Sequence, residues 1–434
     1  MLTPFLAFLA LVPQAPAEKG FTPLFDGKTL TGWTEKGGRY DGDAVWTIEE
    51  GCLVGRQGPN GEGGLLYTEK AYSCFELRLD VKLDHPFDSG VFLRMVPPSE
   101  DKKGAQVTLD WRDDGQIGAL YSDGYIQENP EGAKLFKKDE WNDLVVRCTG
   151  FDMRVEATLN GKPLVDCTYP AERFLEFAPR GLIGLQVHGA RGDTGAARFR
   201  NVRLRELPVF GEEQVFSSWM KGGPGLVPNK RGQELGWKHL FLGESLDGWK
   251  AEGDASRYRA HEQELHFLTG GDGGQLITTK DYQDFELRFD FNIARMANSG
   301  LFLRAARDGS NPAFSGCEVQ ILDDFNWESV TNSTLKPWQF TGSLYGSVPA
   351  GKHGVLRRPG EWNSYEVLYK GTRLAVALNG HILYDVDTAA LAPEQGEPFA
   401  KRARQGFIGL QHHGSAHLES EVLASFRDLL IREL

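Results

Sequence analysis

Six residues in the last third of the chain have the types and spacing for acid–base chemistry: Arg304, Glu318, Gln320, Asp323, Gln411 and His413. Glu318 and Gln320 lie in SGCEVQILDD, residues 315–324. If this is a strand with Val319 and Ile321 in a core, Glu318 and Gln320 project together from the other side. Asp323 is out of phase and joins them only through a β-bulge, a common device beside active sites. In GFIGLQHHG, residues 406–414, Ile408 and Leu410 share one face, and Gln411 and His413 share the opposite one. His412 then points coreward or lies at the strand end. Arg304 closes NSGLFLR. A carboxyl and an imidazole can move protons, and a guanidinium nearby can hold an oxyanion. A salt bridge is the plainer reading of that arginine.

The elements that must position these residues are strands. Phe285-Glu286-Leu287-Arg288-Phe289-Asp290-Phe291 alternates apolar and polar, the period of a half-buried strand. Asn379-Gly380 separates two apolar runs, as Asn160-Gly161 does earlier, and this dipeptide is a strong hairpin signal. No long segment has a capped helical period. Short strands with Gly-rich turns predict an all-β chain of jelly-roll sandwiches.

The chain also repeats itself. LFDGKTLTGW (24–33) returns as LFLGESLDGW (240–249), DSGVFLR (88–94) as NSGLFLR (298–304), and GALY (118–121) as GSLY (342–345). GLIGLQVHG (181–189) returns as GFIGLQHHG, and FRNVRLREL (199–207) as FRDLLIREL (426–434). The order is the same in both halves, and the period far exceeds the roughly 20–45 residues of a solenoid unit. Two tandem domains are expected, 20–207 and 237–434, joined by a linker at 208–236.

The first copy carries counterparts to the polar set: Arg94, Gln106, Asp110, Gln186 and His188. Gln106 stands where the second copy has Glu318, and Asp110 keeps a carboxylate on that strand at another place. The second copy has a longer segment between Glu318 and its GSLY, with Trp327 and Trp338 on the way to Tyr345. These aromatics beside a polar face suit a sugar, whose ring stacks while its hydroxyls take polar side chains. Packing of the loop onto the sheet is the bland alternative. Trp33 and Trp249 are expected to plug cores.

With 40% apolar and 25% charged residues, the 434-residue chain reads as globular. A net charge of -12 lacks the basic footprint that nucleic acid needs. PFLAFLALV followed by Ala15-Pro16-Ala17 reads as a signal peptide over 1–17, implying export to the periplasm or beyond. No later stretch is long and apolar enough to span a membrane. The five cysteines match no zinc spacing and favour buried thiols with at most one disulfide. The sequence requires no cofactor, and a divalent metal on His and carboxylate ligands stays an open alternative.

Together these motifs resemble the 3-keto-disaccharide hydrolase domain family, over nearly all of 20–207 and 237–434. The resemblance implies a concanavalin-like jelly roll and cleavage of glycosides already oxidised at C3. It implies C2 deprotonation, β-elimination and hydration, with a sugar 3-oxidoreductase upstream as the partner supplying the ketone. It places the polar cluster on Glu318, Gln320, Asp323, Gln411 and His413. His413 or Glu318 is then the base, and Arg304 the enolate stabiliser. Two rivals remain within the fold. One is a retaining glucanase using Glu318 and Asp323, although Gln320 replaces its middle acid. The other is a non-catalytic lectin-like module, which suits the first domain best.

Overall fold

The computed structural model describes residues 18–111, 115–189, 195–218, 225–414 and 420–434. The proposed signal peptide, residues 1–17, lies outside them. The chain divides into two compact units, Met1–Pro208 and Val209–Leu434, each built from two large antiparallel sheets around its own core, with a small two-stranded sheet added in the second. Both are jelly-roll β-sandwiches, as the strand period and turn chemistry predict.

In the first unit one sheet contains β1 (Gly64–Thr68), β2 (Asp88–Met95), β3 (Ala105–Asp110), β4 (Ile117–Tyr121) and β5 (Leu182–Val187). Their spatial order is β4-β3-β2-β5-β1. Alternation sorts the side chains. Val91, Leu93, Val107, Leu109 and Leu185 enter the core and meet Leu77, Leu79 and Val81 of the opposite sheet. The intervening residues form the sheet's outer face.

The second unit repeats the plan with β6 (Gly274–Thr278), β7 (Asn298–Ala305), β8 (Cys317–Leu322) and β9 (Phe407–His412), in the order β6-β9-β7-β8. The alternating strand Phe285–Ile293 sends Leu287, Phe289 and Phe291 into the core.

Small repeated devices explain the repeated phrases. Trp33 and Trp249 are buried, and their indole N–H groups donate to the carbonyls of Leu24 (2.6 Å) and Leu240 (2.9 Å). Asn160 and Asn379 both adopt φ 51°, the left-handed turn geometry that Asn tolerates. Each also ties its side-chain amide to a second asparagine, Asn142 or Asn363, at 2.9 Å. The serine of the D/NSG motif points inward. Ser89 donates to the carbonyl of Gln186 (2.8 Å), and Ser299 to that of Gln411 (2.7 Å).

The described part of the expected linker packs on the second unit. The N–H groups of Val209 and Phe210 donate to the Glu366 carboxylate at 2.9 Å each, and the rings of Phe216 and Trp237 meet edge-on at 5.1 Å. None of the five cysteines is disulfide-bonded. Among the described residues no helix is long and apolar enough to cross a membrane.

Candidate functional site

In the second unit the sheet brings Glu318, Gln320 and Gln411 to one outer face. β7 pairs with β8 through Gly300↔Gln320 and Phe302↔Glu318, and with β9 through Leu301↔Leu410. Gly300 therefore lies among the three polar side chains. Its lack of a side chain matters, because a Cβ there would come within 2.1 Å of a Glu318 carboxyl oxygen.

Glu318 is the unusual member. The residue is only 4% exposed, and its carboxyl has no hydrogen-bond partner among the described residues. Removal from water disfavours the charged form, so burial pushes its pKa up to about 8. The group is therefore a neutral acid at pH 7. Tyr345 sits beside it: its main-chain N–H donates to the Glu318 carbonyl at 2.9 Å. Burial and then the nearby Glu318 charge raise the Tyr345 pKa. Gln320 is buried, and its side-chain carbonyl accepts from the N–H of Ile321 at 3.0 Å. Gln411 is half-buried and pairs in register with Gln275.

His413 follows β9 directly and is exposed; the nearest partner of its Nδ1 is the Gly414 carbonyl, at 3.4 Å. Residues 415–419 beyond it lie outside the described set. His412 takes the coreward option. It is 2% exposed, its Nε2 lies 2.7 Å from the Leu268 carbonyl, and its ring stacks on Phe267.

Three expectations need correction. Arg304 does not face this patch. It adopts φ 50° at an irregularity between Phe302 and Ala305, which upsets the simple alternation. Its guanidinium is held by Asp284 (2.9 Å) and the carbonyls of Gln283, Gly371 and Tyr369, with its charge 3.5 Å above the Tyr369 ring. Arg94 repeats this, with φ 52° and bonds to the carbonyls of Ser73 and Gly150.

Asp323 is fully buried, and the β7–β8 register shows no bulge that would turn it outward. Its carboxylate instead accepts from the N–H groups of Met296 (2.8 Å) and Phe325 (3.2 Å) and from the Asn326 amide. It staples a turn. The Glu318–Asp323 pair that a retaining glucanase needs is therefore not formed on this face.

Trp338 is 2% exposed, and its indole donates to Glu394 at 2.9 Å. It packs edge-on against Tyr345, with ring centres 4.9 Å apart, so it backs the wall rather than offering a stacking face. Trp327 is half-buried at the start of the short helix Trp327–Thr331.

The same face of the first unit is an open groove of about 550 Å³. Gln106, Asp110, Gln186 and His188 all line it, as their phase predicts; Arg94 does not. The Gln106 amide donates to the Gln186 side-chain carbonyl at 2.8 Å. His188 Nδ1 lies 3.5 Å from a carboxylate oxygen of buried Asp88. Asp88 was not singled out from the sequence. The signal was the DSG/NSG contrast, which puts a carboxylate in one copy and Asn298 in the other. The groove's rim carries Tyr40, Tyr121 and Tyr125, also unforeseen. Among the described residues, no group of three or more His, Cys, Asp or Glu side chains is placed to hold a metal ion.

The sequence model of a family described as "3-keto-alpha-glucoside-1,2-lyase-like domain" matches residues 20–205 and again 236–432. A 3-keto-disaccharide hydrolase of Bacteroides thetaiotaomicron is 27% identical over 218 residues, covering 41% of this chain and 74% of its own length. Two crystal structures from Parabacteroides distasonis ATCC 8503, described as candidate glycosyl hydrolases, are 27% and 25% identical. They cover 46% and 48% of this chain and 99% and 98% of their own, with TM-scores of 0.38 and 0.40.

Proposed function

The chain belongs to the 3-keto-alpha-glucoside-1,2-lyase-like domain family through both its halves, and we propose from this that it is exported and cleaves the glycosidic bond of 3-keto-glycosides in its second domain. A ketone at C3 acidifies the C2 proton. A base removes that proton, the C1–O bond breaks, and the leaving oxygen takes up a proton. Water then adds its oxygen to C1 of the enone and a proton returns to C2, giving net hydrolysis.

The observation that carries this reading is the Glu318 carboxyl. It is buried, without a hydrogen-bond partner among the described residues, and neutral at pH 7 because its pKa is pushed up to about 8. A neutral carboxyl is suited to donate the proton that the leaving oxygen needs. Of the two candidates for the base, this leaves His413, which directly follows β9 and is exposed. With Arg304 engaged elsewhere, the amide N–H groups of Gln320 and Gln411 are the donors on this face that can stabilise the enolate. Tyr345, backed by Trp338, forms an aromatic wall beside the acid. No step here is routed through a metal.

The substrate must come from an enzyme that oxidises a sugar hydroxyl at C3, so a sugar 3-oxidoreductase is the implied partner upstream. Export rests on the leader-like residues 1–17, which end in Ala15-Pro16-Ala17. The test is an assay of the purified protein on a 3-keto-disaccharide and on its parent. Cleavage of the keto form alone, with solvent deuterium entering at C2, is expected. Equal cleavage of both would overturn the elimination chemistry, and turnover of neither would leave a binding protein.

A further inference from the structure

The first domain's groove differs from the second domain's face in what it offers a ligand. We propose that this groove is a separate, non-hydrolytic binding site for a neutral saccharide about two rings long, and that it prefers the unoxidised form. The inference rests on the reading above only for the class of ligand.

Aromatic placement is the first argument. Tyr40, Tyr121 and Tyr125 are the tyrosines among the exposed large apolar side chains of the described residues, at 42%, 36% and 43% exposure, and all three line this groove. Tyr121 and Tyr125 meet edge-on at 5.4 Å, and Tyr40 packs against Phe92 at 5.6 Å. Held rings of this kind supply apolar area at low entropic cost, and each brings a hydroxyl. The groove's volume of about 550 Å³ falls within the usual range of roughly 300–1,000 Å³ for small-molecule sites.

The polar groups decide which saccharide. Asp88 and Asp110 face each other across β2 and β3, and both line the groove. The Gln106–Gln186 amide pair leaves the Gln106 carbonyl oxygen without a partner among the described residues. That amide carbonyl oxygen is an acceptor, so the groove calls for a donor there. A sugar hydroxyl donates, whereas a ketone only accepts. A site built around a hydroxyl strongly rejects an analogue without it, because its own polar groups are left unpaired. Arg39 at the rim already faces Asp123 at 3.7 Å, so acidic sugars gain little there. Gln106 occupies the place of the Glu318 acid, and an amide has no proton to give the leaving oxygen. Binding without cleavage follows.

Calorimetric titration of the full-length chain tests this, using trehalose, maltose, cellobiose and laminaribiose as probes. In a Glu318→Gln background, which prevents turnover, the 3-keto forms are titrated as well. At least one parent disaccharide should bind, and Tyr121→Ala with Tyr125→Ala should weaken it at least tenfold. Tyr121→Phe, which keeps the ring, should retain binding and so exclude a folding defect. The 3-keto form should bind this site at least tenfold more weakly. No binding from the whole panel, an unchanged affinity in the double alanine variant, or equal affinity for keto and parent forms would each overturn the proposal. Cleavage of the keto-disaccharide is measured separately, so failure of either claim is visible without the other.

Discussion

The two outer faces share a scaffold and differ at a few side chains. Both have a serine tying β2 or β7 to the neighbouring strand, and a glycine beneath the central polar residue. At that residue the first face has an amide bonded to a second amide, and the second face has a carboxyl with no hydrogen-bond partner among the described residues. The first also pairs its histidine with Asp88, whereas the second has Asn298, whose Oδ1 is buried without a partner. An amide has no proton to give a leaving group, while a desolvated lone carboxyl is held in its neutral form. On the proposed reading, one exchange, Gln for Glu, separates recognition from proton transfer on the same fold.

The two domains should agree first in their buried arginines. Arg94 and Arg304 are buried arginines tied to main-chain carbonyls. Replacing either with leucine should destabilise its own domain by about 3–5 kcal/mol, since the groups left behind lose their partner. Chemical denaturation with a probe in each domain checks this. A variant of Arg304 that folds normally and loses only activity would return it to the catalytic set.

Stability should then separate the domains. In the unfolded chain Glu318 releases its proton in the ordinary carboxylate range, and in the folded chain only near about 8. Between those values the folded state holds the extra proton, so stability falls as pH rises. Glu318→Gln should reduce this slope, to which the buried Asp324 and Glu366, both raised to about 7, also contribute, and should stabilise the second domain by roughly 3 kcal/mol at pH 7. Gln106→Glu should create the opposite effect in the first. Melting temperatures at pH 5 and pH 8 report both, and a Glu318→Gln variant with an unchanged pH slope would contradict the buried acid.

A smaller effect separates the histidines. His413→Ala should cut kcat/KM for a 3-keto-disaccharide by about 10²-fold if it acts as the base, whereas His188→Ala should change it less than twofold. Equal losses would end the division of labour. Smallest of all, Trp338→Phe removes one indole bond to Glu394 and should cost about 1 kcal/mol of stability, with a modest rise in KM.

Much of this was legible in the sequence because it is local. Strand phase placed Gln411, Glu318 and Gln320 on one face and left His412 either coreward or at the strand end, and repeated motifs marked the tryptophan plugs and Asn-Gly turns. Arg304 was misplaced because a positive-φ irregularity breaks the alternation, and such a break has no marker in NSGLFLR. Trp338 stays open between ligand stacking and loop packing in the sequence, because loop length does not show which way an indole turns. The state of Glu318 depends on which partners are missing around it, a non-local property that spacing cannot express. For the same reason the sequence suggests a lectin-like first domain without showing that its groove is open and lined with tyrosines.

The most direct measurement of the central claim is the rate of 3-keto-disaccharide cleavage by the Glu318→Gln and Gln106→Glu variants, recorded across pH. Wild type should lose activity as pH rises through about 8, where Glu318 gives up its proton. Glu318→Gln should fall by at least about 10²-fold at every pH, the usual worth of a positioned acid, and Gln106→Glu should stay within twofold of wild type. Near-normal cleavage by Glu318→Gln would contradict the account.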